Sequence, residues 1–323
     1  MNHKKRVLVT GANGFIGRRL CQKLQEEGSI VRAFLRREIS GPWDEVVLGD
    51  LTAPSLPQGM MTGIDGLYHL AGKAHALAET VKEESQYETV NVAGTKALLK
   101  EAQNAKVGFF IFFSSVKSMG DGGDEVLTES CQIPPQTPYG ISKLAAEKLV
   151  FSAEKIPHRV ILRPTMVYGP DNPGNLEKMI LAIKGGYFPP FPNITNHRSM
   201  LHVDDLVQAA ILAANQKRAH NQIYIVSDGE GYSTRQLYIW MCAALQKQLP
   251  IWSVPLPILK LLAIVGDGIG FVQKKRFMFN SDALAKLTDS AIYSSEKIKK
   301  ELGFKPKWNL KMALPLIVKS CIK

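Results

Sequence analysis

The opening seventeen residues constrain this chain more than any other stretch. An apolar run, Val7-Leu8-Val9, ends at Thr10 and is followed by Gly11-Ala12-Asn13-Gly14-Phe15-Ile16-Gly17, and apolar residues then recur at Ile16, Leu20 and Leu24 up to Gly28. The first run reads as a buried strand, and the second pattern as a helix with one apolar face and a glycine stop. Glycines at a strand-to-helix turn remove the β-carbons that would keep a phosphate at a distance. The free amides of the helix start then face that phosphate. A strand, a glycine turn and a helix in this order form the first half of a parallel crossover unit that can hold a dinucleotide.

The rest of the first half repeats the alternation. Strands are expected at Ile30–Leu35, Glu45–Leu48, Gly66–Leu70, Gly108–Phe113 and Arg159–Leu162, with helices at about 85–104 and from Tyr139 to about Lys155. Such alternation predicts an α/β fold, a doubly wound parallel (Rossmann) sheet. After Arg163-Pro164 the texture changes, with Pro170, Pro173, Pro189, Pro190 and Pro192 marking long loops. Residues 1–164 are therefore expected to form the dinucleotide-binding domain, and 165–323 mainly a smaller C-terminal substrate-binding lobe. Helices are expected there at 176–184, 203–215, 234–246 and 294–302, and the strand near Ile223–Val226 is a candidate to return to the main sheet.

Charge and cysteines narrow the setting. The net charge is +11, and residues 273–323 hold twelve Lys/Arg against four Asp/Glu. No nucleic-acid module accompanies this charge, so nucleic acid is not an expected partner. An anionic substrate, or weak contact with an acidic membrane surface, remains compatible with it. Cys21, Cys131, Cys242 and Cys321 are scattered without metal-type spacing, and the opening apolar run is too short for a secretory signal. A cytoplasmic location is the expectation. The apolar stretch Pro255–Val272 contains Lys260, Asp267 and three glycines. It reads as a short buried helix, Ile258–Val265, followed by a glycine-rich turn, rather than a membrane span.

Two groups of residues carry chemistry. Tyr139-Gly140-Ile141-Ser142-Lys143 places a phenol and an ammonium one helical turn apart on one face. An ammonium there would favour the phenolate and bring the Tyr139 pKa down towards the working pH of a general acid/base. A second Tyr-x-x-x-Lys, Tyr293 to Lys297, does not follow a nucleotide unit. Ser114-Ser115 closes a strand at the carboxyl edge, where open α/β sheets bind ligands. A serine hydroxyl there can bond a sugar hydroxyl or ketone while Tyr139 exchanges its proton and Lys143 holds the nicotinamide ribose. A serine hydrolase would need a nucleophile elbow with a partnered histidine. No Gly-x-Ser-x-Gly occurs, and His69, His75, His197 and His202 follow no pattern with Ser115. The seven histidines form no metal motif, so no metal is expected.

The cofactor preference is read from the end of the second strand. Arg36 and Arg37 lie nineteen and twenty residues past Gly17. An acidic residue there would favour NAD, whereas a guanidinium suits the extra 2′-phosphate of NADP. NADP is favoured over NAD on this basis. Asp50, in Gly49-Asp50-Leu51, is placed beside the adenine amine, and Ala71-Gly72 lets the backbone pass the cofactor.

Taken together, Thr10 to Gly17, Asn91-Val92-Ala93-Gly94-Thr95, Ser114-Ser115, Tyr139 with Lys143, Arg163-Pro164 with Tyr168-Gly169-Pro170, and Arg198 to Leu206 resemble the extended short-chain dehydrogenase/reductases of the nucleotide-sugar epimerase/dehydratase family. The resemblance implies Ser115, Tyr139 and Lys143 as the catalytic triad. It implies Gly11, Asn13, Gly14, Phe15, Ile16, Gly17, Leu51, Ala71 and Gly72 as cofactor contacts. Lys117, Asn175 and Arg198 would contact a UDP-sugar substrate, Arg198 at its diphosphate, and the enzyme would be a homodimer. Met166 stands where many members have Asn, Leu287-Thr288-Asp289-Ser290 replaces an Arg-x-Gly-Asp-like stretch, and Lys117-Ser118 lack the acidic residues of the dehydratases. The last departure argues against dehydration; the altered phosphate-contact positions and the NADP preference slightly favour a reductase of UDP-4-keto-6-deoxy-N-acetylhexosamines in surface polysaccharide (lipopolysaccharide) synthesis, with a UDP-glucose or UDP-N-acetylglucosamine 4-epimerase as the alternative. A non-catalytic NADP-binding regulator would not need all three triad residues, and a basic membrane scaffold would need none.

Overall fold

In the computed structural model, residues 4–73, 85–273, 277 and 279–322 are described, so His75 and part of the basic C-terminal segment lie outside the described residues. Strands β1 (Arg6–Thr10), β2 (Ile30–Leu35), β3 (Glu45–Leu48), β4 (Gly66–His69), β5 (Phe109–Phe113), β6 (Val126–Leu127), β7 (His158–Pro164), β8 (Met166–Tyr168), β9 (Arg198–His202), β10 (Gln222–Val226), β11 (Gly231–Tyr232) and β12 (Ile292–Tyr293) alternate with helices. These are α1 (Phe15–Glu26), α2 (Gly94–Asn104), α3 (Pro138–Ser152), α4 (Asn175–Gly185), α5 (Val203–Asn215), α6 (Thr234–Ala244), α7 (Leu256–Gln273), α8 (Ser281–Thr288), α9 (Glu296–Leu302) and α10 (Leu310–Cys321).

Seven strands make one parallel sheet in the order β10-β7-β5-β4-β1-β2-β3. The order reverses at β1: β2 and β3 extend one way from it, and β4, β5, β7 and β10 the other. Loops leaving the carboxyl ends of β1 and β4 therefore part to opposite faces and open a crevice between them. The period of two along a strand sends Val7 and Val9 to one face and Leu8 to the other. One apolar cluster packs α1 and α5 against the sheet, and a second packs α2 and α3 on the opposite face. The chain thus buries its sheet on both faces, as a doubly wound fold must.

A third cluster builds the smaller lobe from α4, α6, α7, α8, α10 and strands β8, β9 and β11. There β9 pairs in parallel with β8 and antiparallel with β11, and β6 pairs with β12. The stretch expected to be a short buried helix and turn is instead one continuous 18-residue helix, α7. Gly266 lies inside it because a β-carbon there would fall 1.9 Å from the Phe279 carbonyl oxygen. Close packing at that point outweighs the poor helix propensity of glycine. Most of its apolar side chains are exposed rather than buried.

Candidate active site

The glycine turn joins β1 to α1 at the crevice. Gly11 has φ +70°, and a β-carbon on it would lie 2.7 Å from the Ala71 nitrogen, so it also lets the ends of β1 and β4 approach. A β-carbon on Gly17 would sit 2.1 Å from the Gly11 carbonyl oxygen. Gly14 caps α1 with extended backbone and no side-chain hydrogen bond, and the first turn carries no acidic residue. The amides of that turn are thus left for an anion, which fits the pyrophosphate of a dinucleotide. Asn13 is exposed beside it, Ile16 packs on the core, and Phe15 lies against Gly169.

A buried hydrogen-bond relay runs from this turn to the Tyr139 helix. The Ala71 amide donates to Thr10 Oγ1 (3.1 Å), Thr10 Oγ1 pairs with His69 Nδ1 (2.7 Å), and His69 Nε2 pairs with Thr95 Oγ1 (2.9 Å). Thr95 Oγ1 donates to the Asn91 carbonyl (2.6 Å), Asn91 Nδ2 donates to Ser142 Oγ (3.0 Å), and Ser142 Oγ donates to the Tyr139 carbonyl (2.8 Å). Each hydroxyl has one proton, so the direction at Thr95 makes His69 Nε2 the protonated nitrogen and Nδ1 the acceptor. Burial pushes the His69 pKa down to about 3, with Lys143 adding to the effect, so the ring stays neutral in that role. The Asn91 amide also pairs with both the nitrogen (2.7 Å) and the carbonyl (3.1 Å) of Lys73, fixing the backbone beyond Ala71-Gly72. Asn91 lies in a π-helical turn, Glu88–Ala93, leading into α2. His69, Asn91 and Thr95 were not singled out by role in the sequence, although Asn91 to Thr95 carried part of the resemblance.

The start of α3 positions the tyrosine. Thr137 caps it by accepting from the Gly140 amide (3.1 Å), and Pro138 occupies the first turn. Tyr139 is buried, hydrogen-bonded to Ser115, and meets Tyr87 edge-on at 5.9 Å. Burial pushes its pKa up to about 12 against the lowering effect of the Ser115 bond. This corrects the expected downward shift. Lys143 Nζ donates to the Phe113 carbonyl (2.9 Å) and lies 4.8 Å from the centre of the Phe112 ring, and desolvation dominates both groups. The Lys143 pKa is lowered by burial to about 8, with Glu147 opposing. A β-carbon on Gly72 would lie 3.5 Å from Lys143 Nζ, which places the ammonium at the end of β4. Ser115, Tyr139, Lys143 and Gly72 therefore converge on one end of the sheet.

Of the two adjacent serines, only Ser115 faces Tyr139. Ser114 Oγ donates to Glu147, as does Ser118 Oγ (2.7 Å), and Arg163 clamps the same carboxylate through Nε (2.9 Å) and Nη2 (2.6 Å). Glu147 is one further turn along the face of Tyr139 and Lys143, so this buried pair anchors α3 to β7. Sequence reasoning missed Glu147. The signal was its i,i+4 spacing from Lys143, which usually marks only a solvated pair.

The remaining candidates fall in two places. Arg36 and Arg37 are exposed just beyond β2. Asp50 receives the Thr52 amide (2.9 Å) and hydroxyl (2.8 Å), bonds that hold its pKa below the usual range, with Arg36 adding a smaller pull. Leu51 is buried and packs against Gly94. At the other end, Lys117 Nζ pairs with Asp121 (2.7 Å), and Arg198 donates to the Asp289 carbonyl (2.9 Å) while also feeling the Asp121 charge. Burial lowers the Arg198 pKa. Lys117 and Arg198 are thus gathered around Asp121, whereas exposed Asn175 opens α4 and makes no hydrogen bond to either of them among the described residues. The second Tyr-x-x-x-Lys is dismantled by the fold. Tyr293 lies in β12, and Lys297 in α9 binds Gln222 and the Ile223 carbonyl.

A nucleotide turn and a serine–tyrosine pair beside a buried lysine can exchange a proton next to a bound nicotinamide. The model of the NAD dependent epimerase/dehydratase family matches residues 7–227. The chain belongs to that family. It is an NAD-dependent epimerase/dehydratase-type enzyme on an extended short-chain dehydrogenase/reductase fold. It is 32% identical to a UDP-glucose 4-epimerase of Vibrio cholerae over 94% of this chain and 91% of the relative. It is 26% identical to an N-acetyl-alpha-D-glucosaminyl-diphospho-ditrans,octacis-undecaprenol 4-epimerase of Escherichia coli O157:H7, over 95% and 92% of the two chains. The structure of MoeE5 in complex with UDP-glucuronic acid and NAD superposes with a TM-score of 0.76 at 23% identity, covering 98% of each chain.

Proposed function

We propose that this enzyme moves a hydride at C4 of a sugar carried on a diphosphate, as a UDP-glucose or UDP-N-acetylglucosamine 4-epimerase. The Ser115–Tyr139 hydrogen bond beside buried Lys143 carries the reading, in a chain similar along most of its length to two 4-epimerases. A bound nicotinamide cofactor would supply the redox chemistry, hydride transfer at C4. Tyr139 takes the proton of the C4 hydroxyl during oxidation and gives it back during reduction. In the free protein burial holds its pKa up at about 12, so the oxidative step requires the phenol to give up its proton once the site is filled. Ser115 orients the C4 oxygen, and Lys143 sets the charge beside the phenol. Lys117 and Arg198 neutralise the diphosphate once Asp121 yields Lys117 to it.

The second reading, a UDP-4-keto-6-deoxy-N-acetylhexosamine reductase serving surface polysaccharide synthesis, is favoured by Arg36 and Arg37. Two exposed guanidinium groups beyond β2 suit NADP, which exchanges with a reducing pool, whereas an epimerase retains its cofactor. The proposal further includes a homodimer through the helices around 85–104 and 139–155. It places the enzyme in the cytoplasm, where its four unpaired cysteines stay reduced, and gives it a weak contact with a membrane surface. Product analysis separates the readings. Conversion of UDP-glucose or UDP-N-acetylglucosamine to its C4 epimer without net cofactor consumption supports the first. Stoichiometric NADPH consumption on the 4-keto sugar, with no epimer formed, overturns it in favour of the second.

A further inference from the structure

Helix α7 turns its more apolar side away from the protein. Leu259, Ala263 and Gly266, at i, i+4 and i+7, face inward. On the outward side Leu261, Val265 and Val272 recur at helical spacing, flanked by Ile258, and are exposed, Leu261 at 61%, Val265 at 51% and Val272 at 80%. Ile264 and Phe271 border this ridge, and Ile251 and Trp252 are exposed just before the helix. Scattered apolar residues are ordinary on a surface, but a row of exposed apolar side chains at helical spacing on one helix marks a contact.

Among the described residues, α7 is the one helix long and apolar enough to cross a membrane. It is nevertheless fixed along one side, since Gly266 abuts the Phe279 backbone and Asp267 accepts from Ser281. Lipid cannot surround a helix held in this way, but a bilayer surface can receive its free side.

We propose that α7 seats the enzyme on an anionic lipid bilayer, lying in the membrane plane with Leu261 and Val265 in the acyl boundary and Trp252 at the headgroups. Charge selects this occupant over a second copy of the chain. The helix is followed directly in sequence by Lys274-Lys275-Arg276, and residues 273–323 carry twelve Lys/Arg against four Asp/Glu. A second copy would bring the same positive charge to the contact, whereas anionic headgroups neutralise it. Leu259 and Ala263 belong to the same apolar cluster as Met200 of β9, the strand that starts at Arg198, so docking through α7 holds the substrate lobe at the lipid surface. The inference rests on the membrane contact proposed above and gives it a surface, while the catalytic assignment stands or falls on product analysis alone.

The test is co-sedimentation of the full chain with vesicles of phosphatidylcholine alone and of phosphatidylcholine with phosphatidylglycerol. The enzyme should pellet with the anionic vesicles at low salt and far less with the neutral ones. Leu261→Glu with Val265→Glu should reduce the bound fraction tenfold or more, with thermal unfolding and cofactor affinity unchanged. If the glutamates lower thermal stability, the milder pair Leu261→Ala and Val265→Ala should still weaken binding severalfold. Wild-type protein that stays in the supernatant with both vesicles overturns the proposal. So do variants that bind like wild type, or a wild-type dimer that the substitutions convert to monomer.

Discussion

Gly140 lies so close to Lys117 that a β-carbon on it would stand 2.1 Å from the Lys117 carbonyl oxygen. The glycine between Tyr139 and Lys143 is what allows α3 to rest on the turn that begins at Ser115. Gly140→Ala would ordinarily favour a helix. Here it must push α3 away from Val116–Ser118 and stretch the Ser115–Tyr139 bond. Stability should fall by about 1–3 kcal/mol, the usual range for overpacking, and turnover should fall at least about tenfold. Denaturant unfolding and steady-state turnover check both. A more stable and fully active Gly140→Ala enzyme would show that the approach is not tight.

Buried Lys143 makes stability depend on pH. Its pKa is about 8 in the fold against an ordinary 10.5, so between these values the unfolded chain holds a proton that the folded chain has released. This contribution therefore rises with pH from about 8 to 10.5 and is lost as pH falls through about 8. Above pH 10 the raised tyrosines, Tyr139 among them, act in the opposite sense, so the effect is read as a difference between proteins. Lys143→Met should be more stable than wild type at pH 7 by up to roughly 3 kcal/mol, with the gap closing by pH 10.5, and should have no turnover. Equal stabilities at pH 7 would mean that the ammonium is better solvated than its burial implies.

Glu147 tests the anchoring of the same helix. It accepts from Arg163, Ser114 and Ser118 in the interior, and Glu147→Gln leaves the Arg163 guanidinium without its counter-charge. Removing one partner of a buried ion pair costs about 3–5 kcal/mol. Urea unfolding of the variant should show a loss of that order, and a loss under about 1 kcal/mol would place Arg163 in contact with water.

The proposed preference for NADP rests on the exposed Arg36 and Arg37. Replacing both with Ala should weaken NADP by about tenfold or more, or ~1.4 kcal/mol, with NAD binding unchanged. Calorimetry that finds NAD and NADP equally tight before and after the change would remove the arginine argument.

The main sheet was legible because its strands are short apolar runs bounded by glycine or polar turns, as at Val7–Val9 and Phe109–Phe113. The small sheets were not, since two- and three-residue strands such as β6, β8 and β12 have no local period and exist only through distant partners. Helix α10 was not among the expected helices, and it runs through Pro315. Helix α7 was read as buried because hydropathy records apolarity and not what covers it. At the site, Tyr139, Lys143 and the glycine turn carry their pattern locally. His69, Glu147 and Asn91 act through residues 16 to 59 positions away, and no local signal ties them together.

The most direct measurement follows the hydride itself. UDP-N-acetylglucosamine deuterated at C4 should give its C4 epimer with the deuterium still at C4 if the proposed transfer keeps the hydride within one active site. Tyr139→Phe, folded and still binding cofactor, should form almost none. Epimer that has exchanged its deuterium for solvent hydrogen, or a Tyr139→Phe enzyme as fast as wild type, would contradict hydride transfer at C4 through Ser115, Tyr139 and Lys143.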